Sequence, residues 1–301
     1  MNLEIVIPCY NEEKIIKKFY NEINNVLKDD IDFNIIFVND GSSDNTLDEI
    51  KKLDNVNYIS FSRNFGKEAA IYAGLEYTKA DYVILMDADL QDPPSLIPKM
   101  IEYIDDYDIV ATRRVSRIGE PKIRSFFARN FYKIMNKITN IELVDGARDF
   151  RLMKRHVVDA VLNLSENNRF SKGIFQWIGF NTKWIEYENI SRSEGETSWS
   201  FWGLLAYSIE GIVSFTVAPL YISTIIGIII SIISFIFILF VVVRTLLFGD
   251  PVSGWPSTMS VILFIGGIQL FSIGILGQYV GKTYVETKNR PKYIVKEDNF
   301  D

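Results

Sequence analysis

The chain has 301 residues, with 32 Lys and Arg against 38 Asp and Glu for a net charge of −6, one cysteine and one histidine. That balance gives no sign of nucleic-acid binding, and no nucleic-acid partner is expected. Cys9 alone excludes an internal disulfide and any cysteine-rich metal site, and His156 alone leaves little material for a histidine-based catalytic dyad. The length allows one large domain or two.

Leu3 to Pro8 reads as a buried strand that opens the chain directly, with no signal peptide expected. Ile15, Ile16, Phe19, Ile23, Val26 and Leu27 then recur at helical spacing. Ile35 to Val38 is a second strand, Asp44 to Leu53 a short helix, Val56 to Phe61 a third strand and Gly66 to Thr78 a helix. Tyr82 to Met86 is an apolar run of the kind buried on both faces of a parallel sheet. Pro93 and Pro94 open a helix carrying Leu96, Ile97, Met100, Ile101 and Ile104, and Ile109 to Thr112 is a further strand. Strands alternating with helices predict an α/β, mainly parallel, right-handed doubly wound sheet.

Polar residues collect in the loops after the strands: Pro8-Cys9-Tyr10-Asn11-Glu12-Glu13, Asn39-Asp40-Gly41-Ser42-Ser43-Asp44, and Asp87-Ala88-Asp89. In a parallel sheet these carboxyl-end loops converge on one crevice. Asp40 can accept hydrogen bonds from a base or ribose, and Gly41 lets the backbone turn sharply. Ser43 or Asp44 is expected to cap the next helix. Asp87 and Asp89 repel one another unless a cation joins them, and a hard ion such as Mg²⁺ or Mn²⁺, shared with substrate phosphates, fits their spacing. With no Gly-rich phosphate loop in the sequence, a metal must serve any diphosphate.

From Arg113 to Lys137 the chain is basic, with Arg113, Arg114, Arg117, Lys122, Arg124, Arg129, Lys133 and Lys137 against Glu120 alone. Over about 121–139, Lys122, Arg129, Lys133 and Lys137 share one helical side, opposite Ile123, Phe127, Phe131, Ile134 and Ile138, which suits a membrane surface. Asp145 to Met153 reads as a polar turn leading into a helix, with Asp149 and Arg151 as functional candidates and an N-cap at Asp149 as the alternative. Ser191 to Ser198 is a loop carrying Arg192, and about 199–212 is again amphipathic. Gly211 to Val243 and Pro251 to Gly281 carry no charge, and each exceeds the ~20 apolar residues that span a bilayer. The expected division is a cytoplasmic domain over 1–210, two membrane helices at about 213–245 and 256–281, and a cytoplasmic tail over 283–301. Lys282, Lys288, Arg290, Lys292 and Lys296 are expected to place that tail, and with it the first domain, on the cytoplasmic side of the cytoplasmic (inner) membrane.

Ile7-Pro8-Cys9-Tyr10-Asn11-Glu12-Glu13, Val38 to Asp44, Asp87-Ala88-Asp89 with Leu90-Gln91-Asp92-Pro93-Pro94, and Asp149-Phe150-Arg151-Leu152 resemble glycosyltransferase family 2. With the two apolar spans, nearly the whole chain resembles the polyprenyl-phosphate glycosyltransferases, relatives of dolichyl-phosphate mannose synthase. The resemblance implies a GT-A fold. It implies a nucleotide site lined by Pro8, Tyr10, Asn11, Glu12, Asp40, Gly41, Asp87 and Ala88, metal at Asp87 and Asp89, and Asp149 as catalytic base. Many relatives carry a lysine near Arg192 where Thr197-Ser198-Trp199 stands here. That leaves Arg113, Arg117, Arg124, Arg129, Arg151 and Arg192 for the acceptor phosphate or diphosphate. Gln176-Trp177 does not reproduce the Gln-x-x-Arg-Trp signature of polysaccharide synthases, which speaks against a polymerase. The implied reaction is inverting transfer of glucose from UDP-glucose to a polyprenyl phosphate at the cytoplasmic face. GDP-mannose, UDP-GlcNAc or another acceptor is the first alternative, and an inactive nucleotide-sugar-binding membrane scaffold the second. The bilayer is an implied partner, and a homo-oligomer is left open.

Overall fold

The structure, a computed structural model, describes residues 1–27, 31–115, 136, 143–164, 166–167, 169–188, 212–213, 215–248 and 254–300. Arg117, Arg124, Arg129, Arg192 and nearly all of both expected amphipathic helices lie outside these residues.

The apolar runs become strands in the expected places: β1 (Asn2–Cys9), β2 (Asp32–Asn39), β3 (Val56–Phe61), β4 (Tyr82–Leu85) and β5 (Ile109–Arg114). Between them lie α1 (Ile16–Leu27), α2 (Thr46–Lys51), α3 (Lys67–Tyr77) and α4 (Ile97–Tyr103). Then come β6 (Ala147–Lys154), α5 (Arg155–Leu162), α6 (Ser171–Trp177) and β7 (Thr182–Tyr187). The sheet order is β7-β5-β6-β4-β1-β2-β3-β8, where β8 is Val295–Asp298. β1 pairs in parallel with both β2 and β4, so the winding reverses at β1, and the crevice between the carboxyl ends of β1 and β4 is the switch point where such sheets bind ligands. Ile5, Ile7, Ile35, Phe37, Ile84 and Phe150 sit in one buried apolar layer against Phe19, Ile23 and Met100 of the helices.

Pro8 is tolerated where the crevice opens. Val6 accepts a hydrogen bond from Met86 N–H, the last between these two strands. Pro8, two residues on, turns its missing N–H to the same side, where β4 has already ended, so no ladder bond is lost. Gly74 lets α3 lie directly on β1, because a Cβ there would sit 2.2 Å from Val6 Cγ1.

Two expectations are corrected here. The polar stretch at 145–153 is not a turn into a helix: Ala147–Lys154 is β6, antiparallel to both β4 and β5, and the helix begins only at Arg155. Asp149 is therefore no N-cap. A strand interior bearing Arg148, Asp149 and Arg151 contradicts local propensity, and it holds because each charge meets a partner across the sheet edge, as described below. Nor is 283–301 a free tail. The second long helix continues to Thr287, and Arg290–Asp301 groups with residues 1–208 as one compact unit.

That returning segment is β8. It pairs antiparallel with β3 and covers what would be the sheet's edge. Ser62 N–H donates to Ile294 O and Tyr58 N–H to Asn299 Oδ1, while Lys51 pairs with Glu297 at 2.6 Å. Tyr293 stacks on Phe61 at 4.9 Å and donates to Glu76 of α3, and Phe300 packs edge-on against Tyr77.

The second unit, residues 209–289, contains α7 (Ala218–Phe248) and α8 (Trp255–Thr287). Pro219 in the first turn fits the later start of α7, five residues after the expected 213. Their mean hydropathies are 3.3 and 1.9 over the apolar stretches, long enough to cross a membrane. Large apolar side chains such as Phe235 and Phe248 stand 68 % and 81 % exposed, a surface too apolar to leave in water. Tyr279 of α8 donates to Thr216 O at 2.7 Å, just before α7.

Shortening the chain to end at Arg290 removes the acceptors of the Tyr58 and Ser62 amides. These two amides are expected to exchange with solvent at least about tenfold faster while amides of β1 keep their protection. Hydrogen exchange on the detergent-solubilised chain checks this, and unchanged rates at both positions would show that β8 does not stabilise β3.

Candidate active site

The antiparallel insertion of β6 is what assembles the site. Its register sets Leu85 opposite Arg151, and two residues further on Asp87 comes level with Asp149, both just past the carboxyl end of β4. Lys67, the first residue of α3, bridges them. Its Nζ lies 2.7 and 2.8 Å from the two oxygens of Asp87 and 2.6 Å from Asp149 Oδ2. Loss of solvent works against the ammonium's charge, yet Asp149 and Asp87 outweigh it and hold the Lys67 pKa above the ordinary lysine value. Burial works against the Asp149 carboxylate, but Lys67 first, then Lys172 and Arg151, hold its pKa well below the usual range. Asp149 is thus a fixed negative charge rather than a ready proton acceptor.

Lys67 is aimed by the loops of the first two strands. The buried Asp40 carboxylate accepts Phe65 N–H at 2.7 Å and Gly66 N–H at 2.9 Å. Burial raises the Asp40 pKa, against the two backbone donors and Arg63. Both of its oxygens are therefore engaged by the α3 entry loop, not left solely for a base or ribose. Gly41, at φ +63°, packs on the same loop: a Cβ there would meet the Arg63 carbonyl carbon at 2.3 Å. Gly66, at φ +99°, turns the chain into α3.

The loop after β1 is tied to the loop after β2. Asn11, at φ +56°, accepts from Ser43 N–H at 2.9 Å and donates its own N–H to Ser42 Oγ, while Glu12 N–H donates to Thr46 Oγ1. Asp44 accepts from Thr46 N–H at 3.0 Å in a turn just before α2, whose N-cap is Asn45, so the helix cap expected at Ser43 or Asp44 is not found. Tyr10 projects 46 % exposed beside this loop, whereas Pro8 and Ala88 are buried. Asp89 is half-buried and accepts Gln91 N–H at 3.1 Å. Leu90 then takes φ +53°, a conformation costly for leucine by about 1–3 kcal/mol, so strain sits directly behind the two acids.

Among the described residues no group of three acidic, histidine or cysteine side chains is arranged as a complete metal site. The donor set nonetheless suits a hard cation. Asp87 on the loop after β4 and Asp149 on β6 already hold a positive charge, the Lys67 ammonium, and a divalent ion commonly takes one or two carboxylates and completes its shell with phosphate oxygens and water.

Two expected arginine ligands are placed elsewhere. Arg151 is 2 % exposed; its guanidinium lies 3.6 Å from the Phe175 ring centre and donates to the carbonyls of Arg148 and Asp149. Burial lowers its pKa to about 10, against Asp149 and Glu68. It supports Asp149 from beneath rather than offering a fork to a phosphate. Arg113 pairs across the strands with Glu186 of β7.

Sequence reasoning missed Lys67, Glu68, Asp92 and Arg148. Glu68 accepts from the backbone N–H and hydroxyl of Ser171, fixing the start of α6. Asp92, fully buried, accepts from Arg148 Nε at 2.8 Å and from the Tyr187 hydroxyl, joining the acidic loop to β6 and β7. The signal for Lys67 was its place: it follows the carboxyl end of β3, as the other polar loops follow β1, β2 and β4.

A family model described as glycosyl transferase family 2 matches residues 4–162. The Bacillus subtilis protein CsbB, named as a glycosyltransferase, is 46 % identical over 99 % of this chain and 92 % of its own. The prophage bactoprenol glucosyl transferase homolog of Escherichia coli is 42 % identical over 98 % of this chain and 99 % of its own. The bactoprenol glucosyl transferase of Shigella phage SfV is 41 % identical over 99 % of each chain. Among solved structures, glucosyl-3-phosphoglycerate synthase from Mycobacterium tuberculosis superposes with a TM-score of 0.49 at 18 % identity, over 69 % of this chain and 76 % of that one.

The buried pair behind the acidic loop makes a quantitative prediction. Arg148→Met leaves the Asp92 charge uncompensated and should cost about 3–5 kcal/mol of stability, and adding Asp92→Asn should restore a large share of it. Thermal unfolding of the single and double variants measures the coupling. Additive losses would show that the two side chains do not support one another.

Proposed function

Because the chain belongs to glycosyl transferase family 2, we propose that this glycosyltransferase moves glucose from UDP-glucose to a polyprenyl phosphate at the cytoplasmic face of a membrane. The observation that supports the reaction type most is the meeting of Asp87 and Asp149 on Lys67 at the carboxyl end of β4, beside the switch point of the sheet. The choice of sugar and lipid is supported by similarity over 98–99 % of this chain to relatives named bactoprenol glucosyl transferase.

In this reading the donor's nucleotide lies along the loops of Pro8 to Glu12 and Asp40–Gly41, with its diphosphate at Asp87, Ala88 and Asp89. A divalent cation, Mg²⁺ or Mn²⁺, held by Asp87 and Asp89 would neutralise charge developing on the leaving diphosphate. One oxygen of the lipid phosphate forms a bond to the anomeric carbon from the face opposite UDP. The bond from that carbon to the diphosphate oxygen breaks, UDP departs with the electron pair, and configuration inverts. A phosphate monoester has its second pKa near ~6, so near neutral pH much of the acceptor already carries its nucleophilic charge. Asp149 accordingly orients the reacting groups, and its low proton affinity is no handicap. Arg117, Arg124, Arg129 and Arg192 contribute paired hydrogen bonds to the acceptor phosphate.

The lipid acceptor gives α7 and α8 their purpose as a membrane hairpin. Two spans return a chain to the side from which it entered, which supports placing both ends of the hairpin on one side. The basic residues from Lys282 onward favour the cytoplasmic side.

Membranes containing the chain should carry label from UDP-glucose into the organic phase, and Asp89→Asn should remove nearly all of that transfer, by about 100-fold or more, as should a chelator. Transfer from GDP-mannose or UDP-GlcNAc instead would replace the sugar assignment, and full transfer in the presence of chelator would remove the metal. For topology, a membrane-impermeant thiol reagent added outside intact cells should mark Asp250→Cys and spare Lys296→Cys. The reverse pattern would overturn the orientation.

A further inference from the structure

We propose that Lys67 is a positioning residue that serves as the site's resident counter-cation. Its ammonium holds Asp87 and Asp149 together before the donor binds, and it yields Asp87 when a divalent cation arrives with the donor's diphosphate. The inference rests on the donor-site reading above and adds to it a residue and an order of events.

Three observations carry it. The ammonium sits within 2.8 Å of both Asp87 oxygens, the atoms that a cation at this loop would take. No third acid stands ready among the described residues, so a metal ion arriving alone would have to displace a fixed positive charge in exchange for an incomplete set of ligands. A metal ion arriving with a diphosphate brings its own oxygens, and the added negative charge gives the ammonium a second partner. Lys67 also has open space beside it: its side chain is 46 % exposed, whereas the backbone before it is fixed by the two Asp40 hydrogen bonds. The same nitrogen also contacts Asp149 at 2.6 Å, and this is the contact that the proposal keeps when Asp87 turns to the metal. Lys67 therefore couples the donor side of the crevice to the group that faces the acceptor.

The test is Mn²⁺ binding to the full chain in detergent, read from the electron paramagnetic resonance signal of free Mn²⁺, with and without UDP. Wild-type chain is expected to bind Mn²⁺ weakly alone and tightly with UDP. Lys67→Gln should bind Mn²⁺ alone about tenfold tighter than wild type, a coupling of ordinary size between sites. Lys67→Arg, which keeps the charge, should stay close to wild type. A purely structural role would move neither metal affinity. If both wild type and Lys67→Gln bind Mn²⁺ with UDP but are equal without it, the inference fails and the donor site stands. If neither binds Mn²⁺ even with UDP, the donor-site reading fails and takes the inference with it. Should Lys67→Gln not fold, wild type decides alone: binding of Mn²⁺ as tight without UDP as with it overturns the proposal.

Discussion

Two carboxylates on neighbouring strands reach the same edge of the sheet, and the ammonium of Lys67 lets them remain there. Asp87 follows β4 and Asp149 opens β6, and without a cation their charges would push the two loops apart. The surrounding loops act on that one contact. Asp40 clamps the backbone at Phe65 and Gly66, Gly41 makes room for that clamp, and Gly66 turns Lys67 toward the acids. Conformation, charge and chemistry thus converge on one nitrogen atom.

The reversed strand β6 follows from the same requirement. A parallel strand beside β4 would carry its starting residues to the far edge. Run antiparallel, it delivers Arg148 and Asp149 to the carboxyl edge while burying Phe150, Leu152 and Met153. Its charged residues are then absorbed one by one: Arg148 by Asp92, Asp149 by Lys67, and Arg151 by the Phe175 ring and two backbone carbonyls. At the opposite end of the sheet β8 closes β3 and braces α3 through Tyr293 and Glu76. The helix that presents Lys67 is in this way held by a contact 217 positions apart in the sequence, Tyr293 to Glu76.

The parallel half of the sheet was legible because its strands are uninterrupted apolar runs, and hydrophobic periodicity reports burial directly. The two long apolar helices were legible for the same reason. β6 was not, because pairing between side chains distant in sequence overrides the polar look of Gly146-Ala147-Arg148-Asp149. β8 was hidden likewise, since Val295-Lys296-Glu297-Asp298 becomes a strand only where β3 offers an open edge. At the site, the acids after β4 and the loops after β1 and β2 could be read from their positions alone. What could not be read was which partner each side chain takes: Asp40 engages the α3 entry loop, Arg113 engages Glu186, and Arg151 turns inward. The position of Lys67 after β3 was legible, but that two acids flank its ammonium shows only in the folded contacts.

We propose that sugar transfer takes place between the acidic loop after β4 and Asp149. A structure of the full chain in lipid with UDP, Mn²⁺ and a short polyprenyl phosphate tests it most directly. The metal is expected on Asp87 and Asp89, the acceptor phosphate on the Asp149 side of the crevice, and Lys67 released from Asp87 yet still bound to Asp149. A nucleotide bound away from the β1–β4 crevice, or a metal bound while Lys67 still bridges both carboxylates, would contradict it.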